Sequence, residues 1–263
     1  MNLDYVPLLH LQRQLYDMPR GRDRFREYLR TMRNDDGSGL DLPPLVTMNP
    51  MAREHVPAML DELLAIDADG IGARAVAEAA SDLAPAPGDY KVGLVVADDL
   101  KGGWTNRYAS EFKIRFPELS VSPDGIQPPT PKWSQHTWLT GVLWSSEPVS
   151  PRAVREAVLT AVYRAAYLQQ HGHARTLSDR LVQEGWVMAK AGCTEPALDD
   201  EELAYTREVI APFLEADDLR TTVECLFGDV AARSLGFTPR GLSPSAGLAL
   251  ALDGARRPNV STT

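Results

Sequence analysis

Val92 to Ala97 is an unbroken apolar run, set off by Pro85, Pro87 and Gly88 on one side and by Asp98 and Asp99 on the other. A run this short between turn signals reads as a strand. Alternate residues of a strand face opposite ways, so Val92, Leu94 and Val96 share one face and Gly93, Val95 and Ala97 the other. Both faces are apolar and both need cover, which is the pattern of a strand buried inside a sheet. A second strand is expected at Thr137 to Ser145, where Trp138, Thr140, Val142 and Trp144 alternate with Leu139, Gly141 and Leu143. The two strands, near 91–97 and 137–145, can pair directly.

Helices are the available cover. The strongest start signal is Ser150 followed by Pro151, a capping hydroxyl and then a residue suited to the first helical position. From there Val154, Val158, Ala161, Val162, Ala165 and Leu168 form an apolar stripe that ends at Gly172. A stripe of Leu8, Leu11, Leu15 and Met18 predicts a first helix, and Phe25, Tyr28, Leu29 and Met32 a second. Turn chemistry follows at Asn34 to Gly39. Further helices are expected around Val56–Leu64, Ile71–Leu83, Thr176–Ala191, Asp199–Leu214, Leu219–Ser234 and Pro244–Ala255. The resulting class is α+β, predominantly α-helical with a small buried β-sheet. One compact domain over residues 1–263 is expected, with a sub-boundary candidate at 85–88. A Pro-rich insertion at 117–134 carries Pro123, Pro128, Pro129 and Pro131 and reads as a lid or a flexible segment.

Charge narrows the partners. The net charge of −9 opposes phosphate backbones and anionic membranes, so neither nucleic acid nor membrane is expected as a partner. Arg20, Arg22, Arg24, Arg26, Arg30 and Arg33 form the one basic stretch, which Asp23 and Glu27 offset in part. Cys193 and Cys225 lack metal-ligand spacing and fall far short of a disulfide framework, which predicts reduced thiols and a cytoplasmic location. No signal peptide and no apolar run long enough to span a bilayer is evident.

The densest group of polar and aromatic residues follows the first strand. A strand holds the base of a loop rigid, glycines let a ligand approach the backbone, and Asp, Asn, Arg and Tyr supply charge and hydrogen bonds. The expected ligand-binding residues are Asp99, Trp104, Asn106, Arg107, Tyr108, Glu111 and Arg115. If a helix begins near Thr105, Tyr108, Glu111, Phe112 and Arg115 share a face and Glu111 meets Arg115 across one turn. The bland alternative is a capped turn followed by an exposed ion pair. Asp98 and Asp99 point to opposite sides of the strand end, so only one is expected to enter a site.

His171 and His173, with His136 or Glu184 as a third ligand, raise a metal centre, but the spacing is not that of a metal-binding helix, and no metal is assigned. A histidine at a helix end also serves to offset the helix dipole. Tyr163, Arg164 and Tyr167 form an aromatic and cationic face on the long helix; the competing role for the tyrosines is packing. Nucleophile elbows, dinucleotide fingerprints and phosphate loops are absent, and no cofactor is assigned. Two functions therefore stand side by side. One is a cytoplasmic small-molecule-binding protein or enzyme with its pocket at the loop after the first strand. The other is an interaction or assembly protein, including a homo-oligomer, that uses the Arg-rich and Tyr-rich helical faces.

Overall fold

The computed structural model describes residues 1–33, 39–84, 86–100, 103–119 and 138–257. The turn expected after the second helix, nearly all of the Pro-rich insertion, His136, Lys101 and Gly102 lie outside the described residues. The described residues form two compact units, one of 1–107 with 138–166 and one of 108–119 with 167–257.

The first unit holds the sheet. Strands β1 (Asn2–Tyr5), β2 (Asp89–Ala97) and β3 (Trp138–Trp144) lie in the order β1-β2-β3 and are all parallel. Parallel neighbours need crossovers. Helices α1 (Leu9–Leu15), α2 (Arg22–Met32), α3 (His55–Ala65) and α4 (Ala68–Asp82) lie between β1 and β2 in sequence. Leu94 faces Gly141 across the β2–β3 ladder, and a Cβ on Gly141 would press on both Leu94 and the Ala157 backbone. Helix α6 (Pro151–His171), whose residues to Ala166 belong to this unit, therefore covers that face closely. On the other face Gly93 gives room to Leu8. The expectation drawn from the apolar run is met: Val92, Leu94, Val95, Val96 and Ala97 are fully buried.

Sequence patterning missed β1. It is four residues long, with exposed Asn2 and Asp4 alternating with half-buried Leu3 and Tyr5, too short an alternation to stand out as a strand. The first helix is shorter than its apolar stripe predicts. That helix closes at Leu15 and buries Leu9, Gln12 and Leu15; of the expected stripe Leu8 and Leu15 are buried, whereas Leu11 is half-buried and Met18 lies beyond the helix. The buried polar residue is Gln12. β1 ends at Tyr5, which pairs with Val92, and beyond it the outer edge of β2 needs partners. The Gln12 amide supplies them: Nε2 donates to the Val96 carbonyl (2.7 Å) and Oε1 accepts from the Val96 N–H (2.9 Å). A side chain thus continues the ladder where the strand stops.

The second unit is helical in its described residues. It contains most of α5 (Arg107–Arg115), the end of α6, α7 (Leu177–Ala191), α8 (Asp200–Ile210), α9 (Leu219–Ser234) and α10 (Ala246–Arg256). Helix α10 packs against α7, α8 and α9, with Leu226, Phe227, Leu248 and Leu252 buried among them. Thr176 and Asp179 form a capping box at the start of α7. The uninterrupted helix expected over 219–234 is corrected: α9 breaks at Gly228, which has φ 76° and ψ −169°. A side chain cannot follow there, because a Cβ would overlap the Ser243 carbonyl. The break lets Asp229 N–H donate to Leu242 O and Ser245 N–H donate to Phe227 O. The Asp229 carboxylate then accepts from the N–H groups of Arg240, Gly241 and Leu242. Among the described residues no helix is long and apolar enough to cross a membrane.

Candidate functional site

Parallel strands end together, and the tips of β2 and β3 bring their following residues side by side. Ser145 N–H donates to Ala97 O at 2.9 Å and extends the ladder one step past the strands. Asp98 and Ser145 are thereby neighbours at the carboxyl edge of the sheet, the position where open α/β sheets receive ligands.

Asp98 is 3% exposed, and a carboxyl group so deeply buried needs its oxygens hydrogen-bonded. One oxygen accepts from Asn49 Nδ2 at 2.8 Å. The other lies 2.9 Å from His55 Nε2 and 3.4 Å from the Ser145 hydroxyl. His55 opens α3, and its side chain is 32% exposed. Hydrogen bonding to a carboxylate sets the imidazole tautomer: Nε2 carries the proton and Nδ1 is the basic nitrogen.

The elements around the pair fix its geometry. Asn49 is held at both ends, because its Oδ1 accepts from Met51 N–H (3.0 Å) and its carbonyl accepts from the Tyr16 hydroxyl (2.6 Å). Burial, followed by the negative charge of Asp98, raises the Tyr16 hydroxyl pKa, which keeps it a donor. The loop ends beside Asn49 and Tyr16 are tied by Arg24, which donates to the carbonyls of Met18 (2.7 Å), Pro50 (3.4 Å) and Tyr16 (3.4 Å). One member of the Arg-rich stretch is therefore a buried brace. Others are paired on their own helix, Arg26 with Asp23 (3.1 Å) and Arg30 with Glu27 (2.6 Å).

Asp99 engages a different set. Its carboxylate accepts from the Ser146 hydroxyl (2.6 Å), the Ser146 N–H (3.0 Å) and the Ser145 hydroxyl (3.1 Å). It locks the turn that leaves β3. Arg107 lies 3.7 Å from Asp99, pairs with Glu147 and sits over the Trp144 ring at 5.4 Å. Trp104 stacks on Phe25 at 6.2 Å and remains 56% exposed. Asn106, two residues further on, is exposed as well.

The seven expected ligand residues divide between the two units. Asp99, Trp104, Asn106 and Arg107 belong to the first and Tyr108, Glu111 and Arg115 to the second. In the second unit the Tyr108 ring meets the edge of Phe227 at 6.3 Å. Arg115 bonds Glu111 one turn back at 3.4 Å, as the helical spacing predicts, and also pairs with Glu184, which is fully buried. Burial by itself would lower the Arg115 pKa, but the Glu184 and Glu111 charges raise it overall, so the guanidinium is a fixed cation in this cluster.

Sequence reasoning passed over His55 and Asn49, and of the two strand-end carboxylates it placed Asp99 in the site and not Asp98. His55 is a lone histidine some forty residues upstream of Asp98, and only the fold joins them. The signal available was positional: Asp98 is the first polar residue after a buried parallel strand. Tyr163 is buried, and its hydroxyl donates to Asp82 at 3.4 Å. Tyr167 packs against His171 (4.5 Å) and Trp186 (5.5 Å). Among the described residues no three His, Cys, Asp or Glu side chains gather as a metal site. No protein-family model matches the chain, and neither a curated protein nor a solved structure is recognisably similar to it.

Proposed function

We propose that the chain binds a small polar molecule at the carboxyl edge of its sheet and moves a proton on it through His55, held by Asp98. The observation that carries this reading is the 2.9 Å contact between a buried carboxylate and a partly exposed imidazole. A buried aspartate orients the ring and stabilises the imidazolium that forms when Nδ1 takes up a proton, which is the role of a general acid–base pair. The Ser145 hydroxyl is engaged with both carboxylates, so the chemistry suggested is proton transfer and not nucleophilic attack by serine. Arg107 and Trp104 belong to the same unit and give a ligand a cation and an exposed ring. Cys193 and Cys225 are buried and outside any disulfide, which fits a cytoplasmic protein, and the acidic net charge favours a ligand other than nucleic acid.

The test uses the full chain, incubated with a cell-free small-molecule extract, recovered by gel filtration and examined by mass spectrometry. The wild type should retain a compound that His55→Gln retains roughly tenfold to a hundredfold less, the loss expected for one hydrogen bond to a charged group. Arg107→Ala should lower retention as well, while the melting temperature without ligand stays near that of the wild type. Equal retention by wild type and His55→Gln, or retention by neither, refutes the proposal.

A further inference from the structure

The helical unit carries a second feature, a groove of about 880 Å³ between α7 and α10. Val182, Trp186 and Leu250 give it an apolar stretch, and Lys190, Arg256 and Arg257 stand along it. Val182 is 61% exposed at the edge of this apolar stretch.

The two helices run in the same sense. Gly185 of α7 packs against the backbone of Ala251 and the Cβ of Ala255, and Arg256, at the end of α10, donates to the carbonyl of Cys193 just beyond α7. Both C-termini therefore lie at one end, together with the three cations. Asp253 stands among these cations and pairs with Arg257 at 2.9 Å. The result is a locally basic groove end on a chain of net charge −9.

We infer that this groove docks a short amphipathic helix of a partner protein, lying antiparallel to α7 and α10 with acidic residues in its first turn. Antiparallel placement sets the positive end of the incoming helix dipole against two helix C-termini, and Asp or Glu is at home in a first turn. Those carboxylates would meet Lys190 and Arg257. The groove spans α7 from Leu181 to Lys190, about 13 Å at the helical rise. Apolar anchors at i, i+3 or i+4, and i+7 of a docked helix cover about 10 Å, so three fit. A second copy of this chain fits less well, because a twofold contact must place the cations either against each other or over the Val182 end.

A displayed library of helical 18-residue peptides, selected on the full chain, tests the assignment. Selected peptides should share the apolar spacing and carry Asp or Glu in their first turn. A fluorescein-labelled representative should lose about tenfold or more in affinity for Val182→Glu, equivalent to about 1.4 kcal/mol. Lys190→Glu/Arg257→Glu should prefer the same peptide with its acids changed to lysine. These positions are exposed, and an unchanged circular dichroism melt verifies that the fold is intact. Failure to enrich any peptide, enrichment of basic first turns, or binding indifferent to Val182→Glu would overturn the inference. So would a dimer that Val182→Glu dissolves, which would assign the groove to a second copy, or displacement of the peptide by monomeric dodecanoate with equal preference, which would assign it to an amphiphile.

Discussion

Replacing Arg115 with methionine keeps most of the side chain's aliphatic bulk and removes its charge. Glu184 would then remain in the interior, with Gln183 Nε2 donating to its Oε1 at 3.2 Å but with the guanidinium gone. Breaking a buried ion pair from one side costs about 3–5 kcal/mol, chiefly because the surviving charge is stranded. The cation over the Phe227 ring at 5.9 Å is lost as well, a smaller term of about 0.5–1 kcal/mol. At about 4 °C per kcal/mol, Arg115→Met should melt roughly 10–20 °C below the wild type. The double variant Arg115→Met/Glu184→Met, with both charges gone, should recover most of that loss, since apolar replacements of a buried pair are often neutral. Urea denaturation followed by far-UV circular dichroism measures each variant, and hydrogen exchange reports whether α7 is the region loosened. An Arg115→Met protein within about 0.5 kcal/mol of the wild type, the range of an ordinary surface change, refutes the reasoning. A double variant no better than either single one does so equally.

Gln12→Leu should destabilise the first unit by roughly 2–4 kcal/mol, because the buried N–H and C=O of Val96 both lose their partner; fast amide exchange at Val96 is the signature to look for. Gly228→Ala should cost at least about 1–3 kcal/mol, from a backbone conformation essentially reserved for glycine, and a thermal melt reads it directly. Asp179, whose pKa is lowered by the N–H groups of Thr176 and then Arg175, gives a pH dependence. A depressed folded pKa means that its contribution is present above the unfolded value near 3.9 and disappears as the pH falls through the folded value. Asp179→Ala should therefore flatten the loss of stability below about pH 4, by about 0.5–1 kcal/mol for so exposed a cap; an unchanged acid limb speaks against the capping box.

Much of the fold is legible because it follows from periodicity. The buried run at Val92, the alternation from Trp138 and the Ser150–Pro151 start each specify an element through local chemistry, and the elements observed there match. The failures share a cause. β1 is too short for its alternation of Leu3 and Tyr5 with Asn2 and Asp4 to be decisive, and pairing with β2 makes it a strand. Gln12 is a polar residue that is buried because β1 stops early. The kink at Gly228 is set by the segment around Ser243, which local helical preference does not register. The same applies to the site. Asp98 is visible as the end of a strand, but His55 and Asn49 reach it through tertiary contacts across more than forty residues. Within α5 the spacing of Glu111 and Arg115 is readable, whereas the partner that dominates Arg115, Glu184, comes from another helix.

The bond between Asp98 and His55 is measured most directly by proton NMR of the full chain labelled with 15N-histidine. A slowly exchanging downfield proton coupled to Nε2 of His55, identified by its disappearance in His55→Gln and weakened or lost in Asp98→Asn, is the expected result. An Nε2 proton that exchanges freely with water in the wild type, or one that persists unchanged in Asp98→Ala, would contradict the proposed acid–base pair.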